Sequence, residues 1–235
     1  MQFYREPKKN TYVFACDDNY LLNHGISCLN SAIKTNNNIH CHVLNPKKDT
    51  IKKIQKMMTE SDLISLSTSQ ETDTNKLNPG YYTKMRFYFI DDLFQYSNKI
   101  AIIDTDSIFL KNAMNVFEYD ICTHERNLSD TKEHKRILTS FVLINKSCVK
   151  FIETLKKELK AIGANWWDDQ IAIARTIIKY KECQEFLKIK YCSIPLSYTD
   201  YTFQNNSYIW TGKGERKNKD KNYVAKLNQY NKTEL

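Results

Sequence analysis

Two hydrophobic rhythms divide the first hundred positions. TYVFACDD (11–18) is a short apolar run that ends in acids, and it predicts a strand. NYLLNHGISCLNSAIKTN (19–36) then places Leu22, Ile26, Leu29 and Ile33 at helical spacing. IHCHVLN (39–45) reads as a second strand, stopped by Pro46, and DTIKKIQKMMTES (49–61) as a helix with Ile51, Ile54 and Met58 on one face. DLISLST (62–68) is a third strand. Strand–helix–strand–helix–strand predicts a parallel sheet with helices on its faces, an α/β fold.

The second half repeats the theme less regularly. After a polar stretch, 69–80, YYTKMRFYFIDDLF (81–94) reads as a helix and IAIID (100–104) as a strand. YDICTH (119–124), LTSFVLINK (138–146) and LKIKYCSIPL (187–196) read as strands, and 147–162 and 166–178 as helices. The loop 127–136 is polar, and the end of the chain from 208 is strongly basic. No internal repeat and no clean domain boundary stands out.

Composition narrows the class. At 235 residues, 41% hydrophobic and 26% charged, the chain can bury a sizeable core, and its scarce Gly and Pro argue against long linkers. The formal charge of +8 favours an anionic partner, unless it only reflects a lysine-rich surface. No stretch approaches the roughly 20 apolar residues of a membrane span, and no early segment has signal-peptide form. Seven scattered cysteines without a CxxC pair read as reduced thiols of a cytoplasmic protein, and the five histidines have no zinc-ligand spacing with them.

The chemistry concentrates at IAIIDTDSIFLKN. A buried strand that delivers Asp104 and Asp106 at its end puts two carboxylates at the mouth of a parallel sheet, where ligands bind in open α/β folds. Two carboxylates at i and i+2 stay ionised together only beside a cation or well-placed donors. A hard divalent ion, Mg²⁺ or Mn²⁺, is the simplest such partner and is commonly shared with phosphates. The plainer alternative is a turn with two solvated aspartates.

In this context the sequence resembles glycosyltransferase family 8, the family of glycogenin and the lipopolysaccharide galactosyltransferases. VFACDDNY (13–20) resembles its opening nucleotide-binding segment, and YYTKMRF (81–87) the helix that presents a Lys or Arg to the donor phosphates. NKIAIIDTDSIFLKN (98–112) resembles the strand carrying its DxD motif, TSFVLINK (139–146) the strand after it, and DDQIAIA (168–174) its Asp-Gln motif. IWTGKGERK (209–217) resembles the C-terminal segment that closes over the pyrophosphate. The blocks occur in family order from 11 to 217.

The resemblance implies a GT-A fold, a single Rossmann-like domain over 1–217, followed by a basic tail over 218–235. It implies a metal-dependent transfer of a sugar from a nucleotide donor, a UDP-sugar, to a glycan, lipid-linked or protein acceptor, with retention of configuration. Ala15, Cys16, Asp17 and Asn19 would lie along the nucleotide, and Tyr20 would stack on the base. Asp104 and Asp106 would hold Mn²⁺ or Mg²⁺, with Thr105 beside the ribose. Lys84 or Arg86 would neutralise phosphate, helped by Trp210, Gly212 and Lys213 of the closing segment. Asp169 and Gln170 would face the sugar and the acceptor. The family's metal-ligating histidine would fall near Ile209, where this chain has none, and Trp210 cannot ligate in its place. Phe141 and Ser140 also stand where the family usually has a small residue and often has Asn.

Each motif has a plainer reading. Asp17 or Asp18 can be a helix N-cap, and Asp168 and Asp169 can complement a helix dipole. Lys84 and Arg86 can be snorkelling cations. Trp166 and Trp167 either pack in the core or stack on an acceptor. The glycines of GKGERK let backbone donors approach a phosphate, or belong to a disordered basic tail. That tail is solvated, or makes peripheral contact with an anionic membrane or an acidic partner. Two other functions compete: a haloacid-dehalogenase-like phosphatase, which would have Thr or Val where Ile108 stands, and a degenerate, non-catalytic nucleotide-sugar-binding domain. No nucleic-acid module is recognised, so no nucleic acid is expected as a partner.

Overall fold

Residues 1–73, 79–163, 165–204, 206–212 and 214–231 are described in a computed structural model. The chain opens with β1 (Gln2–Arg5) and the buried strand β2 (Asn10–Asp17), followed by a single turn α1 (Asp18–Tyr20). A π-helical turn over Leu21–Gly25 leads into α2 (Ile26–Lys34), so the helix expected over 19–36 is three pieces. Gly25 explains the break. A Cβ there would lie 3.3 Å from both Phe14 and Thr105, tighter than ordinary packing, so glycine eases the close approach of the helical stretch to the sheet.

Next come β3 (Ile39–Leu44), α3 (Lys48–Glu60), β4 (Ile64–Ser69), α4 (Pro79–Tyr88) and α5 (Ile90–Leu93). The helix expected over 81–94 is thus interrupted at Phe89. The second half contributes β5 (Lys99–Ile103), β6 (Ser107–Phe109), β7 (Ile121–Glu125), β8 (Ile137–Asn145), α6 (Val149–Ala161) and α7 (Asp168–Lys181). It ends with β9 (Tyr191–Ser193), β10 (Thr199–Asp200), β11 (Ile209–Thr211), α8 (Arg216–Lys219) and α9 (Lys221–Asn231).

Among the described residues eight strands form one sheet, in the order β1-β4-β3-β2-β5-β8-β7-β9. Its centre, β4-β3-β2-β5, is parallel, and β1 and β8 add antiparallel to either side. A small second sheet, β10-β11-β6, folds over the strand ends. Strand alternation divides the core. Tyr12 and Phe14 of β2 face Leu29 of α2 and Ile54 of α3, whereas Val13 faces Phe151 of α6 and Ile173 of α7.

The winding reverses at β2. From β2 the chain runs outward through β3 and β4, and then β5 returns to the other flank of β2. The carboxyl ends of two neighbouring parallel strands therefore diverge into loops on opposite sides, and this switch point is where open α/β sheets bind ligands.

The C-terminal segment is not a tail as far as Asn231. Tyr223 and Tyr230 of α9 are buried, and α9 docks on α2 through Ser27 Oγ to the Leu227 carbonyl (3.0 Å) and Asn30 Nδ2 to the Tyr230 carbonyl (2.7 Å). A helix of low overall apolarity is held because its tyrosines bury their rings and the α2 polar groups find partners on it. All seven cysteines are free thiols, and no described helix is long and apolar enough to cross a membrane.

Candidate active site

A cavity of about 500 Å³ opens at the switch point between β2 and β5. Ala15, Cys16 and Asp17 at the end of β2 line one side, with Ile103 through Asp106 beside them. Asp17 is also an N-cap, accepting from Tyr20 N–H at 2.7 Å, so the capping and site-lining readings coexist in one side chain. Tyr20, Tyr82, Thr83 and Arg86 add to the lining, as do Thr139, Ser140, Trp166, Asp169, Gln170, Gly212, Gly214 and Lys217.

The two aspartates of the DTD turn have separate partners. Asp104 accepts from Arg86 on one oxygen and from the Thr211 hydroxyl at 3.2 Å on the other. Asp106 accepts from the Tyr20 hydroxyl at 2.8 Å and from Lys217 Nζ at 2.9 Å. Thr105, between them, turns its hydroxyl to the Ala15 carbonyl (3.3 Å) and so ties the turn to β2. The Asp106 carbonyl accepts from Gly212 N–H at 3.0 Å and from the Tyr223 hydroxyl at 2.7 Å. The Gly212 donor is therefore directed at the DTD turn and is not free for a phosphate.

Arg86 spans the cavity. Besides Asp104 it donates to Asp169 Oδ2 at 2.8 Å and to Thr139 Oγ1 at 3.2 Å, and Thr139 itself donates to Asp169 at 2.8 Å. Burial opposes its charge, but Asp104 and Asp169 outweigh burial and raise its pKa. Burial pushes the Asp169 carboxyl above the ordinary range, against the pull of Arg86. Burial likewise raises Asp106, with Asp104 adding to it and Lys217 opposing. Tyr20 is raised by burial first and by Asp106 next, so it remains a hydroxyl donor.

Three carboxylates, Asp104, Asp106 and Asp169, thus face two cations, Arg86 and Lys217. The cavity wall keeps an excess of negative charge that would repel a diphosphate. A divalent ion fits this donor set, since it would offset the excess and accept carboxylate oxygens from Asp104 and Asp106, with the Thr211 hydroxyl alongside. Among the described residues no group of three His, Cys, Asp or Glu side chains is arranged to hold a metal, so oxygens from outside this set would complete the shell. Ser140 adds a second hint of a ligand. It is 2% exposed, lines the cavity, and its hydroxyl has no partner among the described residues.

Several expected residues fall elsewhere. Lys84 donates to the Gly163 carbonyl and does not line the cavity, so it braces a loop. Asn19 is exposed and outside the lining. The Trp210 ring is buried against Phe203, and its Nε1 donates to the Gln204 carbonyl at 2.8 Å, away from the cavity. Its neighbour Thr211, on the opposite face of β11, occupies the place expected near 209 and 210. Lys213 lies outside the described residues, and Lys217, four positions on, reaches Asp106. Trp166 and Trp167 are not core residues, being 60% and 45% exposed. Thr211, Lys217 and Thr139 were not singled out from sequence. The spacing of Thr211, Gly214 and Lys217, each three apart, was the signal available for two of them.

No protein-family model matches the chain, and no curated protein matches it in sequence. Solved structures do match in fold. The apo structure of the bifunctional glycosyltransferase WbbM superposes with a TM-score of 0.69 at 14% identity, over 98% of this chain and 50% of that one. Glycosyltransferase GlyE of Streptococcus pneumoniae gives 0.60 at 14% identity, over 97% of this chain and 61% of that one. Galactosyltransferase LgtC, solved with donor and acceptor sugar analogues, gives 0.61 at 11% identity, over 96% and 97%. The chain has the GT-A glycosyltransferase fold. It spans half to about three-fifths of the first two proteins and nearly all of the third.

Proposed function

We propose that this chain is a metal-dependent glycosyltransferase that moves a sugar from a nucleotide donor, a UDP-sugar, to an acceptor hydroxyl. The observation that carries the reading is the joining of Asp104, Asp106, Arg86, Lys217 and Asp169 around one cavity at the switch point of the sheet. The nucleoside would lie along Ala15 to Asp17 and against Tyr20, with Thr105 near the ribose. Asp104 and Asp106 would hold Mg²⁺ or Mn²⁺, which when bound stabilises the departing diphosphate as a Lewis acid.

The chain's own residues account for the rest. Lys217 sits on Asp106 and is placed to shift onto the incoming phosphates, adding positive charge where the leaving group gathers negative charge. Arg86 pairs with Asp169 and opposes the burial that raises its pKa. Asp169 Oδ1 also accepts from the Gln170 N–H at 2.7 Å, which fixes the carboxylate at the start of α7. A fixed anion beside the sugar stabilises an oxocarbenium-like centre. Ser140 offers its unpartnered hydroxyl to the sugar, and Gln170 stands on the acceptor side. The family resemblance favours retention of configuration, and seven free thiols favour a reducing compartment such as the cytoplasm.

A thermal-shift panel tests the reading. UDP, GDP, CMP, TDP and ADP are each compared with and without Mg²⁺ or Mn²⁺. A ligand that binds only the native state raises the melting temperature by mass action. UDP should give the largest rise, and the rise should need the ion. Asp104→Ala and Asp106→Ala should each remove the metal-dependent part. No rise with any nucleotide would overturn the proposal, and a metal-dependent rise that survives both substitutions would remove the ion from this site.

A further inference from the structure

Gly163 and the segment 165–168 are braced. Asp168 is buried, and its Oδ2 accepts from Asn165 N–H at 2.8 Å, while Asp168 N–H returns to the Asn165 carbonyl at 3.2 Å. Lys84, buried in α4, donates to the Gly163 carbonyl. The segment is therefore held by buried charged side chains that would lose their partners if it moved away. At its tip it carries two adjacent tryptophans pointing outward, 60% and 45% exposed. Tryptophan is highly buried on average, and a paired exposure rimmed by polar groups marks an interaction site.

The two rings differ in setting. Trp167 is backed by the His134 ring, centroids 5.3 Å apart and planes inclined by 34°. The segment bearing His134 is itself held, since Glu133 pairs with Arg175 of α7 at 2.7 Å. Trp166 has no ring contact among those found and lines the same cavity as Asp169 and Gln170. With its amide turned so that the nitrogen faces them, Gln170 donates to the carbonyls of Ile137 (3.0 Å) and His134 (3.2 Å), which joins the cavity wall to the Trp167 support.

We propose that Trp166, supported by Trp167 and His134, is a stacking platform for a carbohydrate acceptor, and that the acceptor residue is a pyranose presenting its axial C–H face. The inference deepens the transferase reading and rests on it. Continuity decides the occupant: whatever lies on Trp166 shares the cavity with Asp169 and must place a hydroxyl beside it. The rim chemistry agrees. Next to the platform stands the His134 imidazole, a group that bonds hydroxyls in either direction. A lipid tail would leave the imidazole without a hydroxyl partner.

Tryptophan emission reads the platform directly. The chain has three tryptophans, and Trp210 is buried, so a ligand-induced change reports on Trp166 and Trp167. The probes are lactose, maltose, cellobiose and methyl α-mannoside, titrated to tens of millimolar with UDP and Mg²⁺ present. At least one should shift emission to the blue with saturation and protect it from iodide quenching. Trp166→Ala should weaken that sugar at least tenfold, and Trp166→Phe, which keeps an aromatic face, should restore binding to within about threefold. Sugar binding unchanged in Trp166→Ala, or no binding of any probe, would overturn the proposal. So would a dimer that Trp166→Ala dissociates, which would assign the face to a second copy. The parent reading is scored separately by the UDP shift of the unmodified chain. Trp166-dependent sugar binding without any UDP shift would keep the platform and discard the transferase.

Discussion

Arg86 is the residue on which the cavity depends. It pairs with Asp104 and Asp169 and also reaches Thr139, and both it and Asp169 are buried. Removing one member of a buried ion pair costs about 3–5 kcal/mol, because the other charge stays behind unpaired. Arg86→Met should therefore lower unfolding stability by about that amount in urea. Asp169→Asn in the same background should recover part of the loss, since it removes the stranded charge. A loss below about 1 kcal/mol would show that Asp169 is neutral in the native protein. The sequence showed Arg86 as one of two candidate cations, Lys84 and Arg86, and left the choice open. The two point to different neighbours, and only the packing of α4 against α7 and β2 separates them. Trp210 and Thr211 illustrate the same limit. Adjacent residues of a strand face opposite ways, so an alignment error of one position exchanges a buried ring for the hydroxyl on Asp104.

At the scale of elements, β3 and β4 hold a polar ladder inside the core. His40 bonds Ser65 at 2.9 Å and Ser67 at 2.7 Å, and His42 bonds Ser67 and Ser69, each at 2.9 Å. Period-two spacing puts both histidines and all three serines on one face of parallel neighbours. The strands were legible as short runs, the first of them stopped by Pro46. The ladder was not, because it depends on the register between them. Burial lowers both histidines to about 3 from an ordinary 6.5, so the unfolded chain takes up protons in this window while the native protein does not. Their contribution is complete above pH 6.5 and is lost as pH falls through the window toward 3. The slope is at most about 1.4 kcal/mol per pH unit for each histidine. Urea midpoints measured from pH 7.5 to 4.5 should fall steadily, and His40→Asn with His42→Asn should flatten the curve whatever it does to stability at pH 7.5. An equally steep curve in the double variant would assign the acid sensitivity to other groups. The central βαβαβ pattern was legible for the same reason as the strands. The small sheet of β6, β10 and β11 was not, since strands of two or three residues carry no periodicity.

For the whole molecule, the C-terminal segment closes the site from outside. β11 pairs with β6 directly after the DTD turn, and α9 then crosses to α2, which follows directly on Gly25 beside Thr105. Tyr223 joins the two halves, with its ring in the core and its hydroxyl on the Asp106 carbonyl. A polar, basic context hid this role, because the lysine-rich run before α9 sets the reading while two tyrosines and a leucine of α9 do the packing. If α9 is only a cover, Tyr223→Phe should lose the stability of one hydrogen bond, about 0.5–1.5 kcal/mol, and leave nucleotide binding alone. If α9 positions the DTD turn, as the bond to Asp106 implies, the same substitution should also weaken metal-dependent UDP binding several-fold. Deleting 221–235 should then lower the melting temperature by at least about 5 °C, since it strips Tyr223, Leu227 and Tyr230 from the body. Isothermal titration of UDP with Mg²⁺ against Tyr223→Phe separates the two roles. Unchanged affinity with a lowered melting temperature would reduce α9 to a cover, and affinity weakened several-fold alongside the lowered melting temperature would make it part of the binding site.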